Sequence, residues 1–126
     1  RPDPPSVAPD FPLADLVYHR MIPAGERAFL VLADSRLVGM ITQTDVMRRP
    51  VEDWPHLTVA EVMTPASGLK VVERATPLIE ALRLLASGDF HQLPVLVGGQ
   101  PVGLLTRAAI VRYLEMRAQL GTAGTN

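Results

Sequence analysis

No cysteine occurs among the 126 residues. Disulfide bridges and thiolate-bound metals are therefore excluded, while the compartment stays open, because a reducing cytosol and a bridge-free secreted domain both permit this. An excess of one charge is missing as well. Twelve Lys and Arg stand against 13 Asp and Glu, for a formal net charge of −1, whereas a nucleic-acid surface calls for a strong basic excess. Aromatic residues make up only 5% and include a single tryptophan. No apolar run approaches the ~20 residues a membrane-spanning helix needs. The chain opens on RPDPPSVAPD, which is not a secretory leader, and without a methionine it reads as a stretch of a longer protein. What is present is 48% hydrophobic and 20% charged residues, an ordinary soluble globular balance with room for one domain.

The proline-rich opening predicts extended chain, with Ser6 to Ala8 as an edge strand. Pro12 suits the first turn of a helix, where its missing N–H is harmless. Leu13, Leu16, Val17 and Met21 follow at helical spacing, and Pro23 with Gly25 ends that helix. AFLVLAD and SRLVGMIT read as a strand hairpin, QTDVMRR as a helix stopped by Pro50, and PVEDWPHLT as a polar connector. VAEVMTP predicts a short helical turn, and GLKVVER a strand. Thr76 as cap and Pro77 as first residue open the next helix, with Leu78, Ala81, Leu82 and Leu85 inward and Gly88 closing it. QLPVLV and PVGLLT form a second hairpin around Gly98-Gly99. RAAIVRYLEMRAQL reads as an amphipathic helix with Ile110, Val111, Leu114 and Met116 or Ala118 inward, and GTAGTN as a frayed tail.

The same order of elements has thus occurred twice. A shift of 64 lays VGMITQTDVMR on VGLLTRAAIVR, so that Val38, Gly39, Thr42 and Arg48 meet Val102, Gly103, Thr106 and Arg112. Val31 and Leu32 meet Val95 and Leu96 in the same register, and one residue of slippage upstream pairs Pro12-Leu13 with Pro77-Leu78. This is an internal duplication, too long in period for a solenoid unit. Each half is too small to bury much surface alone, so the two sheets are expected to pack together, leaving a cleft where a ligand could sit.

Thr42 and Asp45 stand where the first short helix begins. Thr-x-x-Asp there is a capping pair, and an acid in the first turn suits the helix dipole. The second copy keeps Thr106 but has Ala109 in place of the acid, so a helix can start here without an Asp. Asp45 remains open to a second use.

The order of helix, FLVL or LPVL strand, VGMIT or VGLLT strand and Thr-opened helix, repeated, resembles the cystathionine-β-synthase (CBS) domain in tandem, a Bateman module. VAEVMTP is similar to the segment that leads into the second such domain. The resemblance runs from about Ser6 to Ala118. It implies an α+β fold of two βαββα repeats packed with pseudo-twofold symmetry: residues 6–50 as the first repeat with its N-terminal strand truncated, 51–58 as connector, 59–118 as the second repeat and 119–126 as a disordered tail. In that family G-x-x-T/S-x-x-D is the ribose-binding signature of adenine-nucleotide sites. This chain carries it intact once, as Gly39, Thr42 and Asp45. A carboxylate can accept from both hydroxyls of a ribose diol, a hydroxyl and free backbone N–H groups favour phosphate, and glycine lets backbone come close. The resemblance also points to Met63, Thr64, Pro65, Leu69 and Lys70 around base and ribose, and to Arg27 or His91 near phosphate. Gln92 stands where some relatives carry Arg. Arg27 has a plainer reading as a solvated loop charge, and His91 as a partly buried polar residue. Trp54 reads as an anchor for the connector rather than a cofactor stack, and the methionines as core filler.

Catalysis finds little support in the sequence. His19, His56 and His91 are far apart with no metal-binding spacing, no Gly-rich phosphate loop is present, and no nucleophile elbow occurs. The expected role is regulatory: a module that binds AMP, ADP, ATP or S-adenosylmethionine and controls an attached enzyme, with neither catalytic residues nor a metal of its own. DVMRRPVEDWPHLTVAEVMTP resembles the C-terminal CBS pair of bacterial site-2-protease-type intramembrane zinc metalloproteases. That implies a cytoplasmic-side domain reaching the membrane only through its parent, acting as a homodimer, with no nucleic-acid partner. The alternative is a ligand-free dimerisation module of a larger enzyme or transporter.

Overall fold

A computed structural model describes residues 4–87 and 91–124. The first half begins with the edge strand β1 (Ser6–Val7), which runs parallel to β2 with Val7 opposite Val31. Three helical pieces follow as one run: α1 (Leu13–Leu16), a π-helical turn (Val17–Met21) and α2 (Ile22–Ala24). Leu13, Leu16, Val17 and Met21 are all buried, as their spacing predicts. The π turn falls just ahead of Pro23, which has no N–H to give and whose ring would strike the carbonyl four residues back. Gly25, at φ 66°, then closes the run in the left-handed region.

Strands β2 (Ala28–Ala33) and β3 (Arg36–Thr42) form an antiparallel hairpin. Asp34 and Ser35 both have positive φ, the turn geometry whose twist matches a two-residue hairpin. β2 is apolar throughout because both of its faces are covered. Phe29 and Val31 join the core beneath α1, while Ala28 and Leu30 join Met40 in a seam packed against Leu69 and Leu104 of the second half. Helix α3 (Gln43–Met47) follows, then a 3-10 turn (Val51–His56), and then α4 (Val59–Val62). Trp54 is buried among the first core and its indole N–H donates to the Arg49 carbonyl at 3.1 Å, so it anchors the connector.

Strand β4 (Thr64–Pro65) belongs by sequence to the second half but pairs antiparallel with β3, placing Pro65 opposite Gly39 and Thr64 opposite Met40. The first sheet thus runs β1-β2-β3-β4. The second sheet contains β5 (Val72–Glu73), β6 (Gln92–Val97) and β7 (Gln100–Thr106), with α5 (Leu78–Ala86) before β6 and α6 (Arg107–Gly124) after β7. Its hairpin turns at Gly98-Gly99, both at positive φ. The pairing registers repeat: Val31↔Gly39 and Leu32↔Leu37 correspond to Val95↔Gly103 and Leu96↔Pro101, with a register shift at the same step in each. The fold is α+β, built from two βαββα repeats.

Four local expectations are corrected, the first being Leu78, expected to face inward from α5 but exposed. Of the residues expected to face inward from α6, Ile110 is buried, but Val111, Leu114 and Met116 are exposed. The second core is small, and a helix rising ~1.5 Å per residue passes beyond it within a few turns. The helix also continues to Gly124 through residues expected as tail, because propagation adds a backbone bond per residue without needing a packing partner. Thr76 does not cap α5. Its hydroxyl accepts the Glu73 N–H at 2.9 Å, and Pro77 takes the cap position. The proposed closure at Gly88 lies outside the described residues.

Candidate functional site

The C-terminal end of β3 delivers Thr42 to the start of α3, where it makes both bonds of a capping box. Its hydroxyl accepts the Asp45 N–H at 3.1 Å, and its own N–H donates to Asp45 Oδ2 at 3.0 Å. The cap reading is therefore realised in full. It still leaves chemistry over. Asp45 is the one charged side chain buried among the described residues. Beyond the bond from Thr42, its contacts are long: the Thr64 hydroxyl at 3.4 Å from Oδ1 and 3.5 Å from Oδ2, and the Arg48 guanidinium at 3.5 Å from Oδ1. A carboxylate has about four lone-pair sites, so Asp45 keeps acceptor capacity.

That carboxylate lines a cleft of about 500 Å³ between the two halves, within the range of about 300–1,000 Å³ usual for small-molecule pockets. The first half contributes Arg27, Met40, Thr42, Gln43, Thr44, Asp45 and Arg48, and the second contributes Thr64, Gly68, Leu69, Lys70, His91 and Gln92. The fixed charges on this wall are Arg27, Arg48 and Lys70 against Asp45, a balance that favours an anion. Met40 and Leu69 supply apolar wall.

Of the ten residues singled out in the sequence, the cleft gathers Arg27, Thr42, Asp45, Thr64, Leu69, Lys70 and His91, while Met63 packs against the first core. Gly39 and Pro65 stand behind it, opposite one another in the β3–β4 pair. The reason for Gly39 is now local. A Cβ there would lie 2.7 Å from the Thr64 carbonyl oxygen and 2.5 Å from Met63 Sδ. The backbone that glycine admits is β4, which sets Thr64 against Asp45. Gln43, Thr44 and Arg48 were not among the sequence candidates. Arg48 could have been, since a residue three positions after Asp45 shares its helix face.

A second cleft of about 440 Å³ sits at the equivalent place in the other half, lined by His91, Leu104, Thr106, Arg107 and Ala108 of the second half and by Glu26 and Arg27 of the first. Thr106 keeps its half of the cap, accepting the Ala109 N–H at 3.1 Å. No carboxylate follows it. The Arg107 guanidinium is turned back onto the Leu85 carbonyl, at 3.0 and 2.6 Å. Among the described residues no group of His, Asp or Glu could hold a metal ion, and no helix is long and apolar enough to cross a membrane.

Comparison with known proteins bears on this geometry. The family described as CBS domain matches residues 1–52 and again 59–116. A Synechocystis sp. protein named for zinc-metalloprotease activity, sll0528, is 34% identical over 94 residues, which is 73% of this chain and 25% of that protein. The chain therefore spans about a quarter of that relative's length. Among solved structures, the CBS-pair protein CBSX2 of Arabidopsis thaliana superposes with a TM-score of 0.79 at 25% identity, covering 90% of this chain and 87% of that one. CBSX2 in complex with AMP gives 0.77 at 27% identity, with 90% of each chain covered.

Proposed function

Because this chain belongs to the CBS domain family as two repeats in tandem, we propose that its first cleft binds an adenine nucleotide or adenosyl ligand and thereby controls an enzyme carried on the same polypeptide. One observation carries the reading: the buried Asp45 carboxylate, already fixed by its cap, lines a cleft whose other fixed charges are cationic. Asp45 takes the ribose diol, Thr42 and Thr64 flank it, and Leu69 with Met40 lies along the base. Arg27 and Lys70 meet phosphate, and Gly39 with Pro65 holds Thr64 in place. The bound AMP of a relative with the same architecture supports this choice of ligand. The ligand touches both halves, so it favours one arrangement of them over others, and only such a preference can be transmitted.

The controlled enzyme is, on this reading, a zinc metalloprotease with its metal site elsewhere in the polypeptide, supported by the sll0528 relative. The module would lie on the cytoplasmic side of the membrane and work as a homodimer. Isothermal titration with AMP, then ADP, ATP and S-adenosylmethionine, tests the ligand. Asp45→Asn keeps an acceptor for the Thr42 N–H but removes the second charged oxygen. It should abolish the heat of binding while leaving stability nearly unchanged. Absence of heat with every adenosine compound would favour the ligand-free dimerisation module, which requires a dimer in sedimentation.

A further inference from the structure

Among the fixed charges on the wall of the first cleft, Arg48 is left without a task by the ribose and phosphate contacts proposed above. Its Nη1 stands 3.5 Å from Asp45 Oδ1. The two oxygens of that carboxylate are not equivalent. Oδ2 takes the Thr42 N–H at 3.0 Å and is committed to the cap. Among the described residues, Oδ1 meets the Thr64 hydroxyl at 3.4 Å and Arg48. The oxygen open to a sugar hydroxyl is therefore the one Arg48 stands over. The partners differ in burial: the Asp45 side chain is 7% exposed and that of Arg48 72%. An ion pair with one partner so far in water contributes little to stability, and its separation is well beyond the roughly 2.7–2.9 Å of a charge-assisted hydrogen bond. It opens at small cost. The second repeat offers the contrast, with Arg112 in the place of Arg48 but Ala109 in the place of the acid.

We propose that Arg48 decides which adenosine compound the first cleft accepts: a nucleotide with an anionic 5′ group, and not a neutral or cationic adenosyl compound. This rests on the adenosine reading of that cleft. A ribose hydroxyl that donates to Oδ1 displaces the guanidinium. Arg48 then keeps its charge beside the bound sugar, on a side chain exposed enough to turn toward the group carried on C5′. A phosphate there accepts two N–H groups side by side from the planar guanidinium and replaces the lost carboxylate contact. Adenosine offers no such replacement, so its binding opens the ion pair uncompensated. S-adenosylmethionine places a sulfonium on C5′ and adds like-charge repulsion. Arg27 and Lys70 line the same wall and favour an anion too. Arg48 alone among the described residues is ion-paired with Asp45, so it alone makes the sugar contact and the anion contact one event.

The test titrates AMP, adenosine and S-adenosylmethionine into the full chain and into Arg48→Gln, Arg48→Lys and Arg112→Gln. The unsubstituted chain should bind AMP at least about tenfold more tightly than either other compound, as one hydrogen-bonded charge contact implies. Arg48→Gln should weaken AMP about 10- to 100-fold, the range for losing a hydrogen bond to a charged group. Adenosine should instead tighten by up to about fivefold, because no ion pair has to open, and S-adenosylmethionine should move in the same direction. Arg48→Lys keeps the charge without the fork and should fall between. Arg112→Gln should leave all three affinities unchanged. Tm should hardly move in the Arg48 variants, since that side chain is mostly in water. Equal weakening of AMP and adenosine, an unchanged ratio between them, or a preference of the unsubstituted chain for S-adenosylmethionine overturns the proposal and leaves the adenosine site standing. A chain that binds none of the three removes the adenosine reading, and this inference with it.

Discussion

Asp45 and Thr64, nineteen residues apart, meet across the boundary between the repeats, with the Thr64 hydroxyl 3.4 Å from Asp45 Oδ1. The contact joins a residue fixed by its own helix cap to one fixed by strand pairing against Gly39. The lead-in of the second repeat thus lines the same cleft as the first repeat's helix start. A ligand that rearranges Thr64 must also act on β4 and on the chain leading into the second sheet.

Thr64→Val keeps the shape and removes the hydroxyl. Its bonds to Asp45 are long, so unfolding stability should fall by less than about 1 kcal/mol. AMP affinity should fall about tenfold, roughly 1.4 kcal/mol, if the hydroxyl also touches ligand. Urea unfolding and titration calorimetry measure the two effects separately.

Gly39→Ala should be far more damaging than its size suggests. The added methyl meets the Thr64 carbonyl, a backbone atom that cannot swing aside. Overpacking of this kind costs about 1–3 kcal/mol. Because β4 must shift, AMP binding should weaken in the same variant, which denaturation and calorimetry on one preparation would show.

Trp54→Ala should remove about 3–5 kcal/mol, as large-to-small core changes do. Its ring packs 5.9 Å from that of Tyr18 and its N–H is bonded to Arg49. Trp54→Phe should lose less, keeping most of the contact area. Circular dichroism is the measurement of choice, since both variants lack the only tryptophan fluorophore.

Leu114→Ala and Ile110→Ala lie one helical turn apart on α6 and should differ sharply. Ile110 is buried in the second core and should lose about 2–5 kcal/mol. Leu114 is exposed and should stay within about 0.5 kcal/mol of the parent. Thermal unfolding of the pair maps where the helix leaves the core.

The contrast within α6 shows why part of the fold could be read from the chain alone and part could not. Periodicity says which residues share a helix face, not whether anything lies opposite that face. Val111 and Leu114 follow the pattern of Ile110 and are nonetheless left in solvent. Thr76 failed in a similar way, because the same hydroxyl can bond a turn or a helix start and local sequence does not choose between them. The hairpins were legible because paired apolar runs and turn residues such as Gly98-Gly99 are local signals. Asp34-Ser35 makes the same turn without glycine, so there the paired apolar runs alone carried the reading.

In the site, the Thr42–Asp45 cap was legible because both partners lie within one helical turn. The second-repeat wall could be anticipated only by resemblance, and His91 was placed there by the docking of one sheet on the other. The chain by itself determined the duplicated register, the two hairpins and the capped helix start, because strand alternation, turn geometry and capping act over a few residues. Only the tertiary structure decided that Gly39 makes room for β4 and that Asp45 faces Thr64. Those outcomes depend on which distant segment reaches a given edge first, and no short-range preference encodes that.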